Sequence, residues 1–198
     1  MSRPLLVGIT GGIGAGKSVL TKIVETLGVP IYDADSRAKW LMSNSDNLKS
    51  AVRVLFGEES YVDGKLNREH IGSIVFHKPI LLTQLNALVH PEVERDFNAW
   101  IEKNSSQPYL VKEAALLFET GSYAALDKII LVTASKELRL KRVLARDPHR
   151  TEQDVEAIMR KQLSDEEKRE KADIVLTNDG TTLLIPQILK LHEQFSSR

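Results

Sequence analysis

The residues most able to do chemistry sit near the amino end, at Gly11-Gly12-Ile13-Gly14-Ala15-Gly16-Lys17-Ser18, which fit G-x-x-x-x-G-K-[ST]. Glycines let successive backbone N–H groups turn inward around an anion, where a Cβ would obstruct them. The start of a following helix adds about half a positive charge at the same point. The Lys17 ammonium can reach terminal phosphates as a mobile point charge, and the Ser18 hydroxyl can ligate Mg2+. The chemistry indicated is capture of a polyphosphate. A glycine turn that binds nothing would read alike, so the flanks matter. Leu5-Leu6-Val7-Gly8-Ile9-Thr10 reads as a buried strand, and Val19, Leu20, Ile23, Val24 and Leu27 recur at helical spacing. Strand, glycine loop and helix together are the context that gives the motif its meaning.

Other candidates lie at the ends of predicted elements. The short strand Val29-Pro30-Ile31-Tyr32 runs into Asp33-Ala34-Asp35. A carboxylate there lies near the crevice where open α/β sheets bind ligands, so Asp33 is a candidate general base; its alternative role is a helix cap. Asp35 reads as the N-cap of a helix starting at Ser36. Glu113 ends the strand 109–113, where a carboxylate could hold Mg2+ or its water shell opposite Ser18, or could simply be a surface residue. Arg139, Arg142 and Arg146 fall at i, i+3 and i+7, on one face of a helix after the strand 129–133. They read either as a solvated face or as guanidinium groups for a transferring phosphoryl group. Residues 147–171 are charge-rich, with Thr151 and Asp154 spaced as a capping box. A polar helical hairpin at this place suits a mobile lid. His90 is either a packed or capped residue or a substrate contact, and the remaining histidines share no metal-ligand spacing.

Positioning these groups takes a particular scaffold. Gly28 reads as the C-cap of the first helix. Residues 36–104 read as almost wholly helical, with a turn at Asp63-Gly64, a cap at Asn67, a helix start at Pro79 and an interruption at His90-Pro91. That is more helix than one crossover needs, and it reads as an inserted subdomain that holds an acceptor substrate, or as structural padding. The last strand, 173–177, leads into Asn178-Asp179-Gly180, and Thr181 could cap a final helix with Leu183, Leu184, Ile188 and Leu191 on its apolar face. The total is five strands with helical crossovers. The 198 residues are 42% apolar and 27% charged, with zero formal net charge and no cysteine. No global field recruits nucleic acid or anionic membrane, and disulfide or thiol chemistry is excluded. No signal-peptide pattern and no run of about 20 apolar residues is present, so a cytoplasmic enzyme is the expectation.

Together these segments resemble the dephospho-coenzyme A kinases across nearly the whole chain. Val7 through Ser18 is similar to that family's opening strand and phosphate loop. Tyr32-Asp33-Ala34-Asp35 with Arg37 resembles its D-A-D motif, and Leu85 through His90-Pro91 its L-x-x-x-x-H-P segment. Leu116-Leu117-Phe118-Glu119 followed by Gly121 resembles L-L-F-E-x-G, and Arg142 through Asp147 resembles R-x-x-x-R-D. Gln162, Lys168, Ala172-Asp173 and Asn178-x-Gly180 continue the pattern. Glu113-Ala114-Ala115 departs from the family's usual Asp-x-Pro, lengthening the carboxylate by one methylene, and Val19 stands where Thr is common.

The resemblance implies ATP-dependent phosphorylation of the ribose 3′-hydroxyl of dephospho-CoA, giving coenzyme A and ADP. It implies a three-layer α/β/α core with a five-stranded parallel sheet (1–35 and 105–198), a lid at about 140–171 and a helical CoA-binding subdomain at 36–104. ATP is expected at Gly12, Ile13, Gly14, Ala15, Gly16, Lys17, Ser18, Val19, Arg142 and Asn178. Dephospho-CoA is expected at Asp33, Arg68, His90, Pro91, Leu117 and Glu119, and Mg2+ at Ser18 and Glu113. Catalysis falls to Asp33, Lys17, Arg142 and Arg146. No nucleic acid or membrane partner is expected, and the protein is expected to be a monomer or small homo-oligomer. Another small-molecule kinase with a phosphate loop would not need His90-Pro91 or so large an insertion, and a guanine-nucleotide switch would carry N-K-x-D, which is absent.

Overall fold

A computed structural model describes residues 3–197 of the chain. The chain up to Asp33 and from Asn104 onward makes one compact unit, and Ala34–Lys103 makes a second.

The first unit begins with β1 (Leu5–Thr10), all six residues of which are buried. Such a continuous apolar run suits a strand covered on both faces of a parallel sheet. It is followed by α1 (Lys17–Thr26) and β2 (Ile31–Asp33). After the second unit come β5 (Tyr109–Glu113), β6 (Lys128–Thr133), α6 (Lys136–Arg146), α7 (Glu152–Arg160), α8 (Asp165–Lys171), β7 (Ile174–Thr177) and α9 (Leu184–Ser196). The sheet order is β2-β5-β1-β6-β7, and every pairing is parallel. Val7, Ile9, Val111, Ile130 and Val132 pack on one face against Leu20 and Val24 of α1 and Ile188 and Phe195 of α9. On the other face Gly8 lies so close to Leu126 and Leu117 that a Cβ would stand 2.6 Å from Leu126. The Tyr109 hydroxyl lies 2.9 Å from His192 Nδ1, which ties β5 to α9; burial pushes this phenol up to about 12.

Two local expectations fail here. Helix α2 (Ala34–Asn44) begins one residue after Asp33, so Asp35 sits inside its first turn instead of capping it. Helix α9 starts at Leu184 and Thr181 does not cap it: the Asp179 carboxylate accepts the N–H groups of Thr181 and Thr182, closing a turn that delays the helix. Leu183 is accordingly three-quarters exposed and not on the apolar face.

The second unit holds α2, α3 (Asp46–Phe56), β3 (Tyr61–Val62), β4 (Lys65–Leu66), α4 (Arg68–His77) and α5 (Pro79–Lys103). Leu41, Leu48, Val52, Phe56, Tyr61, Ile71, Leu85 and Val89 form its own core. The β3–β4 hairpin turns on Asp63 (φ 49°) and Gly64 (φ 74°), the paired positive values that a two-residue turn of this hand requires. The Asn67 side chain accepts the His70 N–H and starts α4. Arg37 forms a forked ion pair with Asp96, joining α2 to α5. Helix α5 runs unbroken through His90-Pro91, contrary to the expected interruption. A proline inside a helix costs about 3 kcal/mol. Burying Leu85, Val89 and Phe97 on the same helix contributes about 1.5–3 kcal/mol each, which outweighs it.

Candidate functional site

The glycine loop is shaped by close contacts that leave no room for side chains. Gly16 is the left-handed N-cap of α1 (φ 100°), and a Cβ there would lie 2.1 Å from Asn178 Nδ2. Gly14 (φ 79°) lies against the Arg139 backbone, whose carbonyl oxygen would be 2.5 Å from an added Cβ. The Ala15 N–H donates to Gly12 O (3.1 Å), and Asn178 Nδ2 donates to Ala15 O (2.9 Å). Lys17 Nζ folds back onto Gly11 O at 2.9 Å, a contact an incoming phosphate can replace. Ser18 and Val19 are exposed in the first turn of α1, where the Val19 N–H donates to Gly16 O at 3.1 Å.

Strand register brings the two candidate carboxylates together. Glu113 is the pairing partner both of Asp33 on β2 and of Ile9 on β1. Neighbouring strands lie about 4.8 Å apart, and register partners in parallel strands project to the same face. Asp33 and Glu113 therefore stand side by side at the carboxyl end of the sheet, both partly buried, Glu113 one strand and Asp33 two strands from the entry to the glycine loop. Open α/β sheets bind their ligands at this end. A cleft of about 530 Å³ also opens there, lined by Thr133, Ser135, Arg139, Arg169, Thr177 and Asp179 among others. A cavity of about 490 Å³ between α9 and the amino ends of β6 and β7 lies at the wrong end of the strands for this chemistry.

The three arginines of α6 share a face but not an environment. Arg142 donates to Asn178 O (2.9 Å) and Oδ1 (3.4 Å), behind the glycine loop. Arg146 is exposed and forks onto Asp147 at 3.0 and 2.8 Å, a bond that holds the Asp147 carboxyl below its ordinary range. Arg139 is buried: Nε donates to Ile13 O (3.1 Å) and Nη1 to both oxygens of Asp165 (2.8 and 3.0 Å). The α7–α8 hairpin carries two complete capping boxes, at Thr151/Asp154 and Ser164/Glu167. Their linker reaches the loop directly, with Gln162 Oε1 accepting the Ile13 N–H at 2.9 Å.

The remaining expected site residues are divided between the two units. Glu119 accepts the Leu163 N–H (2.9 Å) and stands 3.4 Å from the fully buried Lys168 ammonium, so it is engaged by the hairpin. The Leu117 side chain is wholly buried under Gly8, which leaves only its backbone for a ligand. In the helical unit Arg68 opens α4, and His90 and Pro91 lie midway along α5; all three are exposed. Among the described residues no cluster of three His, Cys, Asp or Glu could hold a metal. Mg2+ is usually held by substrate phosphates and one or two protein oxygens, and the Ser18 hydroxyl and Glu113 carboxylate are oxygen donors of that kind. The roles of Arg139 and Gln162 were not legible: an arginine in a polar helix and a glutamine between helices carry no signal of what they touch.

Comparison with known proteins identifies the family. A family model described as dephospho-CoA kinase matches residues 5–183. The chain is 37% identical over 194 residues to a dephospho-CoA kinase of Porphyromonas gingivalis, covering 96% of this chain and 93% of that one. It is 39% identical to one of Bacteroides fragilis, covering 93% and 90%. A crystal structure of a Thermus thermophilus protein superposes with TM-score 0.87 at 35% identity over 98% of both chains. The dephospho-CoA kinase of Campylobacter jejuni superposes with TM-score 0.72 at 26% identity over 97% of both.

Proposed function

The chain belongs to the dephospho-CoA kinase family, which phosphorylates dephospho-CoA with ATP in the final step of coenzyme A biosynthesis, and from that premise we propose how its residues divide the work. The triphosphate of ATP lies in the cradle from Gly12 to Val19, with Lys17 moving from Gly11 O to the β- and γ-phosphates. Arg142 and Asn178 hold the nucleotide behind the loop, and Arg146, exposed at the end of α6, supplies charge to the transferring phosphoryl group. Asp33 orients the ribose 3′-hydroxyl of dephospho-CoA and accepts its proton for in-line attack on the γ-phosphorus. Ser18 and Glu113 would hold Mg2+, which supplies charge neutralisation at the β- and γ-oxygens when bound. The second unit, with Arg68, His90 and Pro91, receives the rest of dephospho-CoA, and the α7–α8 hairpin acts as the lid. The reading is of a cytoplasmic protein, a monomer or small homo-oligomer, whose zero net charge sets up no global field to recruit nucleic acid or anionic membrane. No helix among the described residues is long and apolar enough to cross a membrane.

One observation carries the base assignment: the β2–β5–β1 register stands Asp33 beside Glu113, which pairs in turn with Ile9 at the entry to the phosphate loop. Positioning and electrostatics supply most of the acceleration, and a general base typically adds about 10²–10⁴-fold. Asp33→Asn is therefore expected to lower turnover by that order in an ADP-release assay with dephospho-CoA, while MgATP binds unchanged. A loss smaller than tenfold would remove Asp33 from this role.

A further inference from the structure

Ile13, at the tip of the phosphate loop, is gripped at both of its backbone polar groups by side chains 126 and 149 residues away. Its C=O accepts from Arg139 Nε at 3.1 Å, and its N–H donates to Gln162 Oε1 at 2.9 Å. The two grips are not independent. Arg139 Nη1 is itself held by Asp165, three residues beyond Gln162. Between them Leu163 donates its N–H to Glu119. Three of the four residues from Gln162 to Asp165 thus fasten the α7–α8 linker to the rest of the nucleotide-binding unit, two of them through the backbone of one loop residue.

We propose that Arg139 and Gln162 are positioning residues that clamp the backbone of Ile13, so that the phosphate loop holds its anion-receiving shape only while the α7–α8 hairpin is docked. The proposal rests on the phosphate-loop reading above. Arg139 is not a phosphate ligand in this arrangement: it is buried and its charge is met by Asp165 at 2.8 Å, which leaves it a brace. Gln162 is only partly buried and makes a neutral hydrogen bond, which breaks and re-forms at little cost. By linkage, a triphosphate that fixes the loop favours the docked hairpin, and the docked hairpin raises triphosphate affinity by the same factor. Docking of the lid would then be sensed at the loop through the two peptide groups that flank the Ile13 Cα, with no side chain needing to touch the nucleotide.

The test is site-resolved hydrogen exchange at the Ile13 amide, with MgATP titration, on the parent protein, Gln162→Ala and Gln162→Asn. The shorter amide of Gln162→Asn cannot reach Ile13. Losing one net hydrogen bond is expected to speed Ile13 exchange by about tenfold relative to the β1 amides of Val7 and Ile9. It should raise the MgATP dissociation constant by about 3- to 10-fold in both variants. Comparison with β1 keeps the readout valid in a destabilised variant, because global loosening speeds all these amides together. Uniform acceleration, unchanged Ile13 protection, or selective loss at Ile13 with unchanged MgATP affinity would each overturn the clamp. Failure of the underlying reading would look different: Lys17→Ala would then bind MgATP as tightly as the parent, and the clamp would fall with it.

Discussion

Replacing Gly16 by alanine tests the phosphate loop at the position where its geometry is most constrained. The residue sits at φ 100°, and an L-residue held in the left-handed region costs about 1–2 kcal/mol. The new Cβ would stand 2.1 Å from Asn178 Nδ2, so the amide must move. Moving it breaks the 2.9 Å bond to Ala15 O, which adds about 1 kcal/mol. The sum is about 2–3 kcal/mol, concentrated at the cradle. If ATP requires the loop in its native shape, the MgATP dissociation constant should rise by about 30- to 150-fold at 1.4 kcal/mol per decade. Gly28→Ala is the matched control. Gly28 also has positive φ (83°), yet nothing lies within 4 Å of its added Cβ. It should carry only the strain, lowering the melting temperature by about 2–4 °C per kcal/mol without changing nucleotide affinity. Isothermal titration with MgATP and scanning calorimetry on both variants measure the two effects. If Gly16→Ala binds within threefold of the parent, the loop does not hold the triphosphate as described.

Lys17→Ala should weaken MgATP at least tenfold and lower turnover as well, since a hydrogen bond to a charged group is worth about 1.5–3 kcal/mol; initial-rate kinetics at varied ATP will show whether both parameters move. Lys168→Met should destabilise the fold by about 3 kcal/mol, because it leaves Glu119 without its buried counter-charge, and Lys168→Met with Glu119→Gln should recover part of that loss in urea melts. Failure of the second change to restore anything would mean that the pair is not coupled. Stability should also fall in acid. Backbone N–H donation from Thr151, Ser164 and Thr182 holds Asp154, Glu167 and Asp179 below their ordinary carboxylate range. Depressed folded values mean that the stabilisation is complete above the unfolded values of about 3.9–4.3 and disappears as pH falls through the lower folded ones. The melting temperature should be level from about pH 5 to 7 and drop below pH 4, and Asp154→Asn with Glu167→Gln should flatten that drop.

Much of the site was legible because its signals are local. Gly16, Lys17 and Ser18 follow an apolar strand and precede a helical period, and the loop forms between those elements. The Thr151 capping box lies within four residues of chain and appears as expected. The structure differs where another contact outweighed the simplest local rule. Pro91 reads as a break, yet the buried side of α5 carries the helix through it. Thr181 reads as a cap, yet Asp179, two residues earlier, captures its N–H first. The arginines at i, i+3 and i+7 read as one charged face, but Arg139 is interior, Arg142 braces Asn178 and Arg146 is outside.

The order of residues by itself determined the strand–loop–helix that can receive a phosphate, the types of side chain available for catalysis and the family they resemble, because these depend on patterns within a few turns of chain. Only the tertiary structure decided which carboxylates are neighbours, since the placing of β5 between β2 and β1 sets Asp33 beside Glu113 across 80 residues of sequence. The same holds for the grip of Arg139 and Gln162 on Ile13. Hydrogen bonds and ion pairs act over about 3 Å, and which groups come that close is fixed by how the elements pack, information that no short stretch of chain contains.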